Sequence, residues 1–300
     1  MSVGTGTQAA AAPMQKYKKR SQIAQIWGRF KKNKMAMGGL ILFAIMLIVA
    51  ITAPLFIDYE VDVIQQTISE RFQSPSAAHW FGTDQFGRDI FSRVFWGARI
   101  SMFVGVVVVV ISLIIGSILG AASGFFGGWL DNVIMRFMDI LLAIPGTMLA
   151  ITIVAALGGG IQNLLLALSI EQIPKMTRIV RSSVLTLKTQ DYIEAARACG
   201  TTNARIIYRH ILPNAIGPIL VQASLTVART IISVASMSFI GLGINPPEPE
   251  WGAMLSEAKA QLMNYPYLVV APGLAIILTV TSLTLIGDGL RDALDPKMKN

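Results

Sequence analysis

Two charged residues stand inside segments that are otherwise apolar, and they are the residues best placed for chemistry in this sequence. Glu171 lies well inside the fourth long apolar stretch, and Arg229 lies near the middle of the fifth. If these stretches cross a bilayer, each charge costs at least about 2.5–3.5 kcal/mol and should face a partner or a wet cavity. Two hypotheses stay open. Glu171 and Arg229 pair within the membrane or with another subunit, or Arg229 lines a pathway where its planar guanidinium binds a carboxylate.

Other kinds of chemistry have no residues to support them. The dipeptide Gly-Lys is absent, so the sequence contains no nucleotide-binding phosphate loop. A single cysteine, Cys199, excludes an internal disulfide and a multi-cysteine metal site. The two histidines, His79 and His210, fall in different polar segments. We therefore expect no catalytic site, no metal and no cofactor in this chain.

The composition is typical of a membrane protein. Of the 300 residues, 53% are hydrophobic and only 14% are charged, whereas soluble domains carry about 25% charged residues. Stretches near the roughly 17–25 residues needed to cross a bilayer predict six helical spans. They are Met37–Ile57, Ile100–Ala122, Val133–Leu157, Ile161–Val180, Ile216–Ile240 and Val269–Ile286. The fourth is the weakest of the six, because Pro174 and Lys175 interrupt it.

The distribution of lysine and arginine predicts the orientation of these spans. Residues 1–37 contain eight basic residues and no acid, which keeps that end in the cytoplasm. With six spans, residues 58–99 and 241–268 then lie outside, and residues 171–212 and the C-terminus lie inside. The net charge of +8 therefore reflects topology, with some contact to membrane lipid. It does not indicate nucleic-acid binding, which needs a compact basic face.

One polar stretch, "DYIEAARACGTTNARIIYRHILPN" from Asp191 to Asn214, separates the fourth and fifth spans. Its first half predicts a short helix that ends at Gly200, where a permissive backbone turns the chain. Thr201–Asn203 can then cap a second helix, and Pro213 begins the next span. Two short helices rich in arginine suit either a groove on a partner protein or the lipid headgroup region.

Four separated motifs resemble one known family. Glu194-Ala195-Ala196, Gly200 and Leu212-Pro213 are similar to the signature loop of bacterial ABC importer permeases. "HWFGTDQFGRDIFSRVFWGARIS", "SFIGLGINPPEPEWG" and "GDGLRDALDP" resemble the C-type permease subunit of dipeptide and oligopeptide importers. "RHILPN", with His210, is similar to the peptide/nickel branch of that family. The resemblance covers residues 35–296.

The resemblance implies an all-α membrane protein with the type I ABC importer permease fold, six transmembrane helices and both termini in the cytoplasm. It implies a multi-pass protein of the bacterial cytoplasmic membrane that does not itself hydrolyse ATP. Its expected partners are a homologous second permease, two cytoplasmic ATPases and an external substrate-binding protein. The loop that engages the ATPases, residues 188–213, is called the coupling segment below. Its expected contact residues are Asp191, Glu194, Ala195, Ala196, Gly200, Arg205, His210 and Pro213.

The same resemblance predicts how the chain is divided. We expect a basic cytoplasmic tail (1–34), a first span with an external segment (35–99), the permease core (100–290) and a short cytoplasmic tail (291–300). Glu248, Trp251 and Glu257 are expected to face the binding protein, with Trp251 as an amphipathic anchor. The predicted function is import of dipeptides or oligopeptides. Import of nickel chelates or another small solute, and ion-coupled secondary transport, are the alternatives.

Overall fold

The computed structural model describes residues 22–294. In this range the regular secondary structure is helical, apart from one isolated bridge between Thr83 and Asp89, and residues 71–89 and 240–250 form irregular connections. The α-helices are α1 Gln22–Phe30, α2 Lys34–Phe56, α3 Ile90–Phe126, α4 Gly128–Ala143, α5 Gly146–Leu157, α6 Ile161–Leu187, α7 Asp191–Ala198, α8 Asn203–Ile206, α9 Leu212–Phe239, α10 Trp251–Ala258 and α11 Tyr267–Leu294. Shorter helical turns occur at Tyr59–Ile64, Ile68–Glu70, Ile207–Ile211 and Lys259–Gln261. The all-α class predicted from the sequence is confirmed.

Four helical stretches are long and apolar enough to cross a membrane: α2, α3, the run Asn203–Phe239 that ends with α9, and α11. A fifth span requires α4 and α5 together, and these two helices are bent by 85°. The predicted continuous span Val133–Leu157 is therefore wrong. Ile144 precedes Pro145 and is extended (φ −90°, ψ 130°), because the proline ring disfavours the α conformation at the residue before it.

The fourth predicted span, Ile161–Val180, corresponds to α6, which has 27 residues but a mixed composition. Its length is sufficient for a bilayer, yet it carries the charged residues Glu171, Lys175, Arg178 and Arg181. A helix with this composition cannot present all of its faces to lipid. Its neighbours must therefore cover part of its surface.

A row of glycines brings α6 into close contact with α3. Gly116, Gly120 and Gly124 recur every fourth residue, so they share one face of α3. A Cβ atom added at Gly120 would lie 2.5 Å from the Thr177 carbonyl oxygen of α6. Added at Gly116, it would lie 2.8 Å from the Cβ of Met176. Small residues at this spacing let two membrane helices approach backbone to backbone, and we call the three residues the glycine row.

The two ends of the described chain meet at one corner of the bundle. Gly39 and Ala36 of α2 pack tightly against α11, and α1 continues this contact through the buried Phe30. The Asn33 side chain caps α2 and also donates to the carboxylate of Asp292. Residues 22–30 were predicted to belong to a tail. Within that predicted tail they form helix α1, because Ile26, Trp27 and Phe30 recur at helical spacing.

Candidate functional site

The coupling segment is fixed to the bundle by three buried isoleucines. Ile193 of α7, Ile206 of α8 and Ile211 of the following turn are each fully buried. They pack in one cluster with residues of α3, α6 and α9, among them Val180 and Val184. Burying an aliphatic side chain contributes about 1.5–3 kcal/mol. These three contacts therefore hold two very short helices in a defined position.

Gly200 ends α7 in the conformation predicted from the sequence. Its φ of +73° lies in the left-handed region, which side chains other than glycine and asparagine seldom adopt. The Gly200 amide donates to the Arg197 carbonyl, and the Thr201 amide donates to the Ala196 carbonyl, at 2.9 and 3.0 Å. These two bonds form a Schellman motif. The turn reverses the chain so that α8 can begin at Asn203.

The predicted contact residues of the coupling segment differ in their exposure to solvent. Asp191, Glu194, Ala195, Gly200, Arg205 and Pro213 are exposed, whereas Ala196 and His210 are partly buried. Thr202 occupies the N-cap position of α8, but its side chain makes no capping hydrogen bond. The hydroxyl cap predicted for Thr201–Asn203 is therefore absent from this turn. The segment presents a polar surface with both charge signs, supported by an apolar base.

Beside this segment, polar contacts join the C-terminal ends of α3 and α6 to the first turn of α4. The Arg181 guanidinium donates two hydrogen bonds of 2.6 Å to the Asp131 carboxylate of α4. Lys188 donates to the carbonyl of Gly124, the last glycine of the row. The Arg197 guanidinium of α7 lies over the Phe125 ring of α3, 5.3 Å from its centre. The coupling segment is thus mounted on the helices of the glycine row.

The ion pair predicted between Glu171 and Arg229 is not formed. Glu171, only 7% exposed, accepts a 2.9 Å hydrogen bond from Lys175, one turn later on α6. Its Oε1 also accepts from Gln172, while its Oε2 has no hydrogen-bond partner within residues 22–294. Lys175 lies four residues after Glu171 on the same helix, so this pair forms without any tertiary contact. It therefore does not depend on the position of α9, the helix that carries Arg229. Glu171 also lies directly beside Gly146, at the bend between α4 and α5.

Arg229 has a different environment from Glu171. Its side chain is exposed on α9, and no ion pair within the described range involves it. An exposed guanidinium in the central part of a spanning helix requires water or a partner subunit. The structure therefore rules out the internal pair, and the two remaining hypotheses for Arg229 are pairing with another subunit and a place in the pathway.

Trp251 does not face the outside, contrary to the prediction. It is fully buried at the start of α10, and its indole Nε1 donates a 2.9 Å hydrogen bond to the Val94 carbonyl of α3. The indole satisfies its polar atom inside the protein, so it acts as a core residue. Glu250, which the sequence analysis missed, is also fully buried and caps α10 by accepting from the amides of Gly252 and Ala253.

A buried charge cluster connects residues 58–99 with residues 241–268. Arg88 donates to Asp84 and to Glu257, both at 2.6 Å, and the neighbouring Arg93 donates to Glu257 and to the Val63 carbonyl. Glu257 is therefore occupied by two buried arginines and is not free to contact a partner. A signal for this cluster is present in the sequence, since Arg88 and Arg93 flank the start of a long apolar helix.

Glu248 is the predicted outer contact residue that keeps part of its surface accessible. It is partly buried in the extended segment before α10, close to Tyr59 of the other outer segment. Burial, together with the nearby carboxylate of Glu248, raises the pKa of Tyr59. Three residues were predicted to face a binding protein. Of these, only Glu248 can contact a partner without breaking a contact inside the protein.

The chain is similar to known transport proteins over nearly its whole length. Residues 112–300 match the family described as "Binding-protein-dependent transport system inner membrane component". Residues 21–75 match the "N-terminal TM domain of oligopeptide transport permease C".

Individual relatives are similar along most of their own length. A dipeptide transport system permease protein from Alkalihalophilus pseudofirmus is 46% identical over 288 residues, which are 96% of this chain and 94% of the relative. A glutathione transport system permease protein from Escherichia coli is 46% identical over 275 residues, 92% of this chain and 90% of the relative. An inward-facing MetNI methionine ABC transporter chain matches with a TM-score of 0.56 and 21% identity, over 68% of this chain and 97% of that one. At this identity the last similarity concerns the fold alone.

Proposed function

This chain belongs to the family of binding-protein-dependent transport system inner membrane components, and on that premise we propose that it forms half of the translocation pathway of a peptide importer. The observation that carries the proposal is the coupling segment, a polar exposed surface held by buried Ile193, Ile206 and Ile211. The chain lacks a phosphate loop of its own. Two cytoplasmic ATPases would therefore bind this surface and supply the energy.

The remaining partners follow from the same proposal. A homologous second permease completes the pathway, and an external binding protein delivers the substrate to the side that contains residues 58–99 and 241–268. Nucleotide state and pathway state then influence each other through the shared interface, because coupling between two sites is reciprocal. The family assignment favours this function over an ion-coupled secondary transporter.

We also propose the six-span topology in a bacterial cytoplasmic membrane, with both termini in the cytoplasm. Its parts are the predicted ones: a tail (1–34), a first span with an external segment (35–99), the core (100–290) that contains residues 188–213, and a second tail (291–300). Four helical stretches are long and apolar enough to cross a membrane. The bent pair α4–α5 and helix α6 bring the number of spans to six if each crosses once. The excess of basic residues at the N-terminal end supports the orientation.

We propose peptides as the cargo, ahead of nickel chelates or another small solute. Relatives from two bacteria carry names that specify dipeptide and glutathione transport, and both of those compounds are peptides with free carboxylates. Arg229 supplies an exposed guanidinium on α9, whose fork matches the geometry of a carboxylate.

Replacement of Gly200 tests the coupling role. Gly200→Val should keep the chain in the membrane but reduce ATP-driven import roughly tenfold, because a side chain in left-handed backbone costs about 1–2 kcal/mol. Gly200→Asn is the matched control, since asparagine tolerates this conformation. Import by vesicles and ATP hydrolysis by the complete transporter are measured side by side. Normal import by Gly200→Val at normal abundance would argue against the coupling assignment.

Thiol labelling tests the topology without relying on transport. Native Cys199 is exposed in the coupling segment, and an impermeant thiol reagent should modify it from the cytoplasmic side only. A cysteine at Glu248, in a Cys199→Ser background, should react from the outside only. Glu257→Cys is not suitable for this purpose, since its carboxylate holds Arg88 and Arg93. Labelling of both positions from the same side would disprove the six-span arrangement.

Arg229→Gln tests the cargo. Import of peptides with a free carboxylate should fall by roughly tenfold or more, because hydrogen bonds to charged groups contribute about 1.5–3 kcal/mol. Import of the corresponding C-terminal amides should change much less. Arg71→Gln, an exposed arginine of the outer segment, is the control and should affect neither. Equal losses for acid and amide, with assembly and basal ATP hydrolysis intact, would show that Arg229 has a structural role.

A further inference from the structure

The exposed faces of the spanning helices fall into two kinds. On α2, α3 and α11 the exposed side chains of the spanning parts are large and apolar, for example Ile51, Ile118 and Ile277, which are 65%, 64% and 59% exposed. Such surfaces match lipid tails. These three faces are therefore suited to contact with the bilayer.

The exposed face of α6 is polar at the same depth. Arg178 is 51% exposed and forms an ion pair of 2.5 Å with Asp139 of α4, which is 44% exposed. Ser182 and Thr186 follow on the same side of the helix and are also exposed. Arg178 is seventeen residues after Ile161, the first residue of α6, or about 26 Å along the axis. This ion pair therefore lies within the hydrocarbon thickness, where charged groups face water or protein rather than lipid.

The N-terminal part of α9 adds two polar side chains beside this face, although Ile216 and Leu220 are exposed there as well. Asn214 is exposed and Gln222 is half-buried. A cavity of about 380 Å³ separates the two helices, and its lining is mixed: Ser182, Ser183, Thr186 and Asn214 are polar, and Ile179, Leu187, Ala215 and Pro218 are apolar. The cavity is large enough for several water molecules, each of which occupies about 30 Å³ in the liquid.

We infer that Arg178, Ser182 and Thr186 of α6, with Asp139, Asn214 and Gln222, form the water-filled wall of the translocation pathway in its cytoplasmic half. The inference rests on the proposed function and specifies which face of the chain the peptide passes. Hydroxyl and amide groups exchange hydrogen bonds readily with water and with a peptide backbone. Because Asp139 neutralises Arg178, the wall is wet but has little net charge. It can therefore pass both charged ends of a peptide without retaining either, as conduction requires.

Cysteine reactivity tests the inference in the complete transporter, reconstituted in lipid nanodiscs. In a Cys199→Ser background, whose own import rate serves as the reference, Ser182→Cys and Thr186→Cys are compared with Ile118→Cys. Ile118 faces lipid by the account above and lies eight residues before the end of α3, so it is the control for Ser182, which lies five residues before the end of α6. Thr186 lies closer to the end of its helix, one residue before Leu187. A negatively charged methanethiosulfonate should modify the first two at least roughly tenfold faster, since thiolates and charged reagents are excluded from lipid. Modification of Ser182→Cys should also block import.

The outcomes separate this inference from the proposed function. A complex that imports peptide, but in which Ser182→Cys reacts no faster than Ile118→Cys, overturns the inference alone. Protection of Ser182→Cys combined with efficient cross-linking to the second permease also overturns it, because the face is then a dry subunit interface. A correctly assembled complex that hydrolyses ATP but imports no peptide, even without substitutions, contradicts the proposed function itself.

Discussion

The close contact between α3 and α6 is the constraint on which the rest of this structure depends. With no side chains at Gly116, Gly120 and Gly124, the two backbones approach until a Cβ atom would collide with α6. In a membrane, where the hydrophobic effect does not drive helices together, such packing supplies much of the association energy. α6 is also the span least suited to lipid, so it needs this cover most.

The same contact connects the two sides of the protein. Near its N-terminal end, α3 accepts the Trp251 hydrogen bond through Val94 and contributes Arg93 to the cluster with Glu257. At its inner end, the Gly124 carbonyl accepts from Lys188 and the Phe125 ring contacts Arg197 of α7. A helix of 37 residues, about 55 Å long, thus contacts both the outer segments and the coupling segment. A displacement of the coupling segment can therefore be transmitted through α3 to residues 58–99 and 241–268. This is a physical basis for linkage between those residues and the coupling segment.

Local features of the fold could be predicted from the sequence, and long-range ones could not. The turn at Gly200 depends on neighbouring residues and followed from "ARACGTTN"; the bend at Ile144 depends on Pro145 and could have been predicted in the same way. The hypothesis of a Glu171–Arg229 pair failed because Lys175, four residues along the same helix, is the partner of Glu171. Trp251 was assigned to the surface because its partner, the Val94 carbonyl, is 157 residues away. The exposed polar face of α6 became visible only when the burial of each side chain was known.

The most direct test of this account is peptide import by a Gly120→Ala transporter, compared with Gly273→Ala. A Cβ atom at Gly120 meets the backbone of α6, whereas one at Gly273 of α11 has no neighbour within 4 Å. Overpacking of a tight contact costs about 1–3 kcal/mol. The account predicts that Gly120→Ala still binds its ATPases and hydrolyses ATP but imports peptide several-fold more slowly per ATP consumed, while Gly273→Ala behaves as the unmodified protein does. Equal import per ATP by the two variants, at equal abundance in the membrane, would contradict it.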